Sequence, residues 1–493
     1  MPETRSHTKE IFSHTITYGL GLVLNRSLSF LLIPLYTNFF TPEEMGMYSL
    51  IFSFWLFLNI IYVYGLETSF IKFFIDEKSE NGRKEIYSST LFILALTSIL
   101  FSTLFFLFSE NISSLIDFEN PSKGLFLIKL TSLIIIFDIL HRFPLLLFRA
   151  ELKAKKYLYL TLLSVITNLA ANLILILIFK LSIEAVFYSY LISIVLTLAA
   201  GLVLTRKYLS FKVSFSKIRE LVIYGNKFIY IGIFITIIDI SDRFFLKYFY
   251  DEDAVGIYSA NYRLGTIMAL IISAFKFSWT PYFLNLSDNP DNKKIISNIF
   301  TYFVFTGLLL FLIFSFFLEP AAKISLFGLS ILDERYWAGL SIIPVILLSY
   351  FFSGLYSTLN AAPFFTDRTS TLLYISLAGF ALNIFFNFLL IPILGIQGAA
   401  YSTLFTYAAM FFLIYITTQK IYKIEYEWNK VFLTAVLTIL IFIVHLFLKN
   451  IFSESYIIQL ASLTLIALFL TAATYFRIVN LKNLKILFKK TGT

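Results

Sequence analysis

Apolar runs of about 20 residues recur from one end of this 493-residue chain to the other, and each is long enough to cross ~30 Å of hydrocarbon as a helix. In lipid a helix satisfies its own backbone hydrogen bonds, and an isolated strand does not. Barrel strands would appear as ~10-residue segments of alternating polarity, which the sequence lacks. The chain therefore reads as an all-α polytopic membrane protein. Its composition, 58% hydrophobic and 14% charged with a mean hydropathy of +0.82, fits no soluble protein of this size.

About 14 spans are expected: 13–37, 46–66, 86–108, 125–148, 157–179, 184–205, 221–247, 255–284, 295–318, 338–360, 370–392, 397–418, 430–449 and 456–476. The first ten residues, MPETRSHTKE, are polar. The first apolar run is too long for a signal h-region and has no small-residue cleavage site, so no cleavable signal is expected. With the N-terminus inside, the inner segments carry about 26 Lys and Arg and the outer loops about six, which places both termini in the cytoplasm. The net charge of +9 follows this topology and does not indicate nucleic acid. The 58 Phe and 30 Tyr are better explained by an AT-rich coding sequence than by sugar stacking. The absence of cysteine excludes disulfides and thiolate chemistry, and the four histidines have no metal-ligand spacing. No Gly-rich nucleotide loop and no carboxylate–metal cluster occurs, so ATP-driven transport and metal catalysis within the chain are not expected.

The chain repeats itself. Gly46, Tyr48 and Ser49 align with Gly256, Tyr258 and Ser259, and Asn168 and Asn172 with Asn383 and Asn387. Each unit has six spans. Six is even, so the units run parallel about an axis along the membrane normal. The expected organisation is an N-terminal lobe over 1–210 and a C-terminal lobe over 211–420, forming two lobes around a central cavity. Two further spans and a basic tail occupy 421–493.

Charges sit at bilayer depth inside these spans. Asn25, Arg26 and Ser29 make a polar stripe on the first. Asp138 and Arg142 on the fourth, and Asp239 and Arg243 on the seventh, have the i,i+4 spacing of helical ion pairs. Asp242, Arg263, Lys276 and Glu67 complete the set. A charge at span centre costs at least roughly 2.5–3.5 kcal/mol, and arginine keeps its proton; Asp138–Arg142 and Asp239–Arg243 read equally as buried pairs that fix helix packing, whereas Arg26 and Arg263 point to function. Arginine's planar fork suits phosphate oxygens. The set implies a water-filled, net-positive cavity for an anionic ligand, in which Arg26, Asn25, Arg243, Arg263, Lys276 and Arg142 bind. Asp239, Asp242, Asp138 and Glu67 are candidates for coupling to H+ or Na+.

"LLIPLYTNFFTPEEMGMYSL", "YGLETSFIKFF", "ISDRFFLKYFYDEDAVGIYSANYRLG" and "ILGIQGAAYSTLFTYA" resemble the polysaccharide-transporter family. The likeness is to its O-antigen and capsule flippase branch, within the multidrug/oligosaccharidyl-lipid/polysaccharide exporter superfamily. The resemblance implies a two-lobed transporter rather than an enzyme. It would move a polyprenyl-diphosphate-linked oligosaccharide from the cytoplasmic to the outer leaflet of a bacterial inner membrane. Polysaccharide polymerase and chain-length proteins would be its candidate partners. It also carries the cavity role onto Arg26, Asp242, Arg243 and Arg263. Drug-exporting relatives have an acidic residue in the first span, where this chain has Arg26. The rival readings are a lipid II flippase, a cation-coupled multidrug exporter and, from another class, a polysaccharide polymerase or ligase. That enzyme would require a large, basic outer loop, and the loops here are short.

Overall fold

In a computed structural model of the chain, the described residues are 28–210, 212–226, 229–284, 286, 290–326, 328–452, 455–476 and 478. Apart from one short hairpin, Ser325–Leu326 with Leu329–Ser330, the regular structure among them is helical. Twelve of these helices are long and apolar enough to cross a membrane, and a thirteenth span is formed if the pair Phe215–Gly225 and Ile229–Phe249, bent by 52°, crosses as one. The first expected span lies mostly outside the described residues, which begin within it. By compactness the chain divides into Met1–Ala260 and Asn261–Thr493.

The first unit contains α1 (Ile33–Phe39), α2 (Pro42–Val63), α3 (Leu66–Asp76), α4 (Glu80–Leu107), α5 (Ser109–Ile116) and α6 (Pro121–Ala150). Then come α7 (Ala154–Leu173), α8 (Glu184–Thr205), α9 (Phe215–Gly225), α10 (Ile229–Phe249) and the start of α11 (Glu252–Gly265). The sequence TPEE starts α2 for a readable reason. Thr41 Oγ1 accepts from the Glu44 amide at 3.2 Å, and the Glu44 carboxylate accepts from the Thr41 amide at 3.3 Å. This is a reciprocal cap, with Pro42 at the first helical position where no amide hydrogen is needed.

The span expected over 46–66 breaks at Tyr64 and Gly65, both at positive φ, and continues as α3. Gly65, at φ +76°, holds this break at no Cβ cost. α6 packs between α4 and α8, and α2 packs on α10 and α6. α9 and α10 pack on α3 and α2. That packing carries the compact unit to residue 260, whereas the sequence repeat divides the chain at 210. The core below the break is aromatic: Phe70 contacts Phe74, Phe143 and Tyr87 at centroid distances of 5.4, 5.6 and 6.1 Å.

The second unit contains the rest of α11, α12 (Ile267–Leu284), α13 (Asn292–Ala322), α14 (Ile343–Thr358), α15 (Ala361–Phe365), α16 (Ser370–Leu394), α17 (Ile396–Ile421), α18 (Trp428–Ile451) and α19 (Ser455–Tyr475). α17 packs on α16 and α14, and α18 and α19 pack on α13. The span expected over 255–284 appears as two helices. At the junction the Thr266 hydroxyl turns back onto the Arg263 carbonyl at 2.6 Å, and Gly265 fits against Ile346 where a β-carbon would clash. The asparagines that align in sequence make the same bond in each unit. Asn172 donates to Asn168 Oδ1 at 3.0 Å, and Asn387 donates to Asn383 Oδ1 at 3.1 Å.

Candidate functional site: a charged pocket in the first unit

Asp138 lies in the middle of α6 and is completely buried. Burying a carboxylate is tolerated only if its oxygens are satisfied, and here both are. Oδ2 accepts from Arg142 Nη2 at 2.7 Å and from Asn59 Nδ2 at 2.7 Å. Oδ1 accepts from the Tyr190 hydroxyl at 2.6 Å. His141 Nδ1 sits 2.7 Å from the Asp138 carbonyl oxygen. Three helices, α2, α6 and α8, thus converge on one carboxylate. The i,i+4 step aligns Arg142 with Asp138, and α2 and α8 supply the remaining donors. All four of these contacts fix the position of Asp138 on α6. The carboxylate anchors Arg142.

Arg142 has its other guanidinium nitrogen 3.6 Å from Glu67 Oε1, on the first turn of α3. A third of its side chain is exposed, into a cavity of about 470 Å³. α2 contributes Asn59 to the lining, the break contributes Gly65, and α3 contributes Glu67 and Thr68. α10 contributes Thr236 and Asp239. The pocket therefore places one guanidinium, two carboxylates, an amide and two hydroxyls on a wall that is otherwise apolar. A guanidinium donates to phosphate oxygens, and carboxylate and amide oxygens accept from sugar hydroxyls.

The other residues chosen from sequence are placed as follows. Asp242 and Arg243 pair with each other: Arg243 Nη1 donates to Asp242 Oδ1 at 2.8 Å. Arg243 reaches Asp239 through that residue's main-chain carbonyl, at 2.7 Å. Tyr258 donates its hydroxyl to Asp242 Oδ2. Neither Asp242 nor Arg243 is among the residues that line the pocket. Arg263 and Lys276 belong to the second unit, half-buried on α11 and α12. Asn25 and Arg26 lie outside the described residues. The pocket is thus not net positive in its described residues. Its described lining holds one guanidinium, Arg142, and two carboxylates, Glu67 and Asp239.

Asn59 and Tyr190 escaped the sequence reading. Asn59 did leave a signal, as a lone amide inside the apolar run SFWLFLNIIYV. Tyr190, one tyrosine among 30, left none.

The described residues thus define a multi-pass helical protein with a charged pocket among its apolar helices, and the comparisons with known proteins narrow it. The chain belongs to the polysaccharide biosynthesis protein family, whose model matches residues 11–287. No curated protein matches its sequence. Among solved structures, its fold is that of the lipid II flippase MurJ in an inward closed conformation, at TM-score 0.74 and 15% identity over 94% of this chain and 99% of that one. It is shared by a multidrug resistance MATE family transporter of the MOP superfamily in an inward-facing conformation, at TM-score 0.63 and 13% identity over 81% and 96%. A MOP superfamily transporter from Pyrococcus furiosus, whose binding pocket is described as of reverse polarity, matches at TM-score 0.60 and 11% identity over 83% and 95%. The expected membership of the polysaccharide-transporter family and the polytopic all-α class both hold.

Proposed function

We propose that the chain is a flippase for a polyprenyl-diphosphate-linked oligosaccharide, an O-antigen or capsule repeat unit. It carries this unit from the cytoplasmic to the outer leaflet of a bacterial inner membrane by alternating access. The family and the flippase-like fold support the class. The observation that carries the reading is Arg142, held by Asp138 and Glu67 and partly exposed to a pocket rich in hydroxyl acceptors. Arg142 takes a phosphate oxygen, and Glu67, Asp239 and Asn59 take sugar hydroxyls, while the prenyl chain stays in lipid. Moving bare charges and hydroxyls through hydrocarbon is what the pocket avoids. The carboxylates at the pocket, Glu67 and Asp239 in its lining and Asp138 behind Arg142, are the candidates for an accompanying H+ or Na+. Arg26, Asn25, Arg243, Arg263 and Lys276 remain candidates for the remaining phosphate contacts, and Asp242 for coupling. Both termini are cytoplasmic by the Lys/Arg bias, and the polymerase and chain-length machinery are the proposed downstream partners.

The likeness to MurJ favours lipid II as the second reading. Deleting the gene distinguishes the two. Loss of surface polysaccharide in viable cells, with lipid-linked repeat units accumulating in the membrane, is expected. Lysis with accumulation of lipid II would contradict the proposal. In the deleted strain, the double variant Asp138→Asn/Arg142→Gln removes both charges but keeps hydrogen-bonding groups of similar shape. It should be made at normal level and fail to restore polysaccharide.

A further inference from the structure

At the end of α2 that begins with Pro42, two helices cross on glycine. A β-carbon on Gly46 would overlap the carbonyl oxygen of Glu252, and one on Gly256 would overlap that of Pro42. The repeated Gly-x-Tyr-Ser landmarks therefore pack against each other. A second crossing lies at the far end of the pocket, where a β-carbon on Gly65 would overlap the Gly225 carbonyl. Gly65 is itself part of the pocket lining, and Leu56 and Asn59 lie on the stretch of α2 between it and the first crossing.

The first crossing encloses a carboxylate. The side chain of Glu252, at the start of α11, is completely buried. Its Oε1 accepts from the Glu119 amide at 2.8 Å, and the Glu252 amide donates back to Glu119 Oε1 at 3.1 Å. Lys247 Nζ lies 3.4 Å from Glu252 Oε1 and 3.9 Å from Glu119 Oε1. Glu252 Oε2 is buried with no hydrogen-bond partner among the described residues. A charged carboxylate in that position carries a desolvation cost that a neutral carboxyl avoids. Burial raises the Glu252 carboxyl above its ordinary value and the Glu119 carboxylate adds to this, while the Glu119 amide and Lys247 oppose it. Asp253, also raised by burial, faces Asp251 and Glu119. On α2, Glu44 is paired with Lys123 at 2.7 Å, and Glu43 adjoins Asp253 through its backbone.

We propose that Glu252 is the proton switch of the Gly46–Gly256 crossing, neutral while the helices close on it and ionised when they part. Closing takes up a proton and opening releases one. The closed form is therefore fully favoured below the ordinary carboxylate range, and its advantage is lost as pH rises through the raised value of the buried group. Only the identity of what passes through the opened crossing rests on the flippase reading. The switch itself stands apart from cargo.

The natural chain has no cysteine, so one introduced thiol reports alone. Leu56→Cys places it in the pocket lining, on the α2 stretch leading to the crossing. A membrane-impermeant maleimide is applied separately to right-side-out and inverted vesicles, so the face that carries the crossing is read together with its state. Maleimide attacks the thiolate, so each rate is divided by that of the same thiol in unfolded protein at the same pH; lowering the pH from about 7.5 to about 5.5 should then slow this normalised labelling through that face by about tenfold. Glu252→Gln should label slowly at both pH values. Glu252→Asp, which keeps the carboxyl, should retain the response, and labelling after detergent solubilisation normalises for folded protein. An unresponsive parent, or a Glu252→Gln protein that responds like the parent, overturns the switch. A normal labelling response with undisturbed polysaccharide in the deletion strain would overturn the cargo reading and leave the switch intact.

Discussion

Asp138→Ala is expected to destabilise the protein by about 3–5 kcal/mol, the usual consequence of removing one partner from a buried ion pair. The loss has three sources. Arg142 keeps its charge in a mostly buried position without its 2.7 Å partner. The Asn59 amide and the Tyr190 hydroxyl each lose the acceptor they were folded against. Truncation also leaves a void where α2, α6 and α8 meet, in a core that relaxes only partly. Asp138→Asn keeps the shape and one acceptor oxygen and should cost less. Denaturant midpoints of the purified protein in detergent would measure both. If Asp138→Ala were as stable as the parent, the carboxylate would not be the anchor of the pocket.

The second large effect is expected at Gly256. An alanine there places a methyl group against the Pro42 carbonyl, which is backbone and has no rotamer by which to move aside. Overpacking of this kind costs typically 1–3 kcal/mol, and the crossing has an open form that relieves it. Gly256→Ala should therefore shift the population toward opening at that end rather than unfold the unit. With Leu56→Cys as reporter, labelling through that face, normalised at each pH to the same thiol in unfolded protein, should become fast and independent of pH, and polysaccharide export should fall. Slow, pH-dependent labelling like the parent's would show that the crossing is not a gate.

The sequence made the fold class legible because hydrocarbon allows so few alternatives. Runs of this length and apolarity in lipid leave only helices, and TPEE marks the start of α2 through a local cap. The Asp138–Arg142 pair was legible for the same reason, since i,i+4 spacing is a property of one helix. The rest depended on neighbours from other helices. Arg243 had two aspartates within reach on its own helix, and only packing against Tyr258 fixes Asp242 as the buried partner. Asn59 and Tyr190 matter because three helices meet at Asp138. Gly46 and Gly256 were recognised as matching positions, but a repeat does not reveal that its copies touch. Nothing in the sequence singles out Glu119 or Glu252, and Glu252 becomes notable only because the fold buries it. Of the charges expected at one cavity, Arg142, Glu67 and Asp239 line the described pocket; counting charges along spans does not show which of them share a wall.

The central claim is that this chain moves a prenyl-diphosphate glycan across a bilayer. Purified protein in liposomes, loaded with a polyprenyl-diphosphate oligosaccharide confined to one leaflet, tests it most directly. An impermeant glycosidase or lectin then reads the glycan's arrival on the other leaflet. The account predicts transfer by the parent and little by Asp138→Asn/Arg142→Gln. Transfer of lipid II with none of the oligosaccharide, or equal transfer by the charge-free double variant, would contradict it.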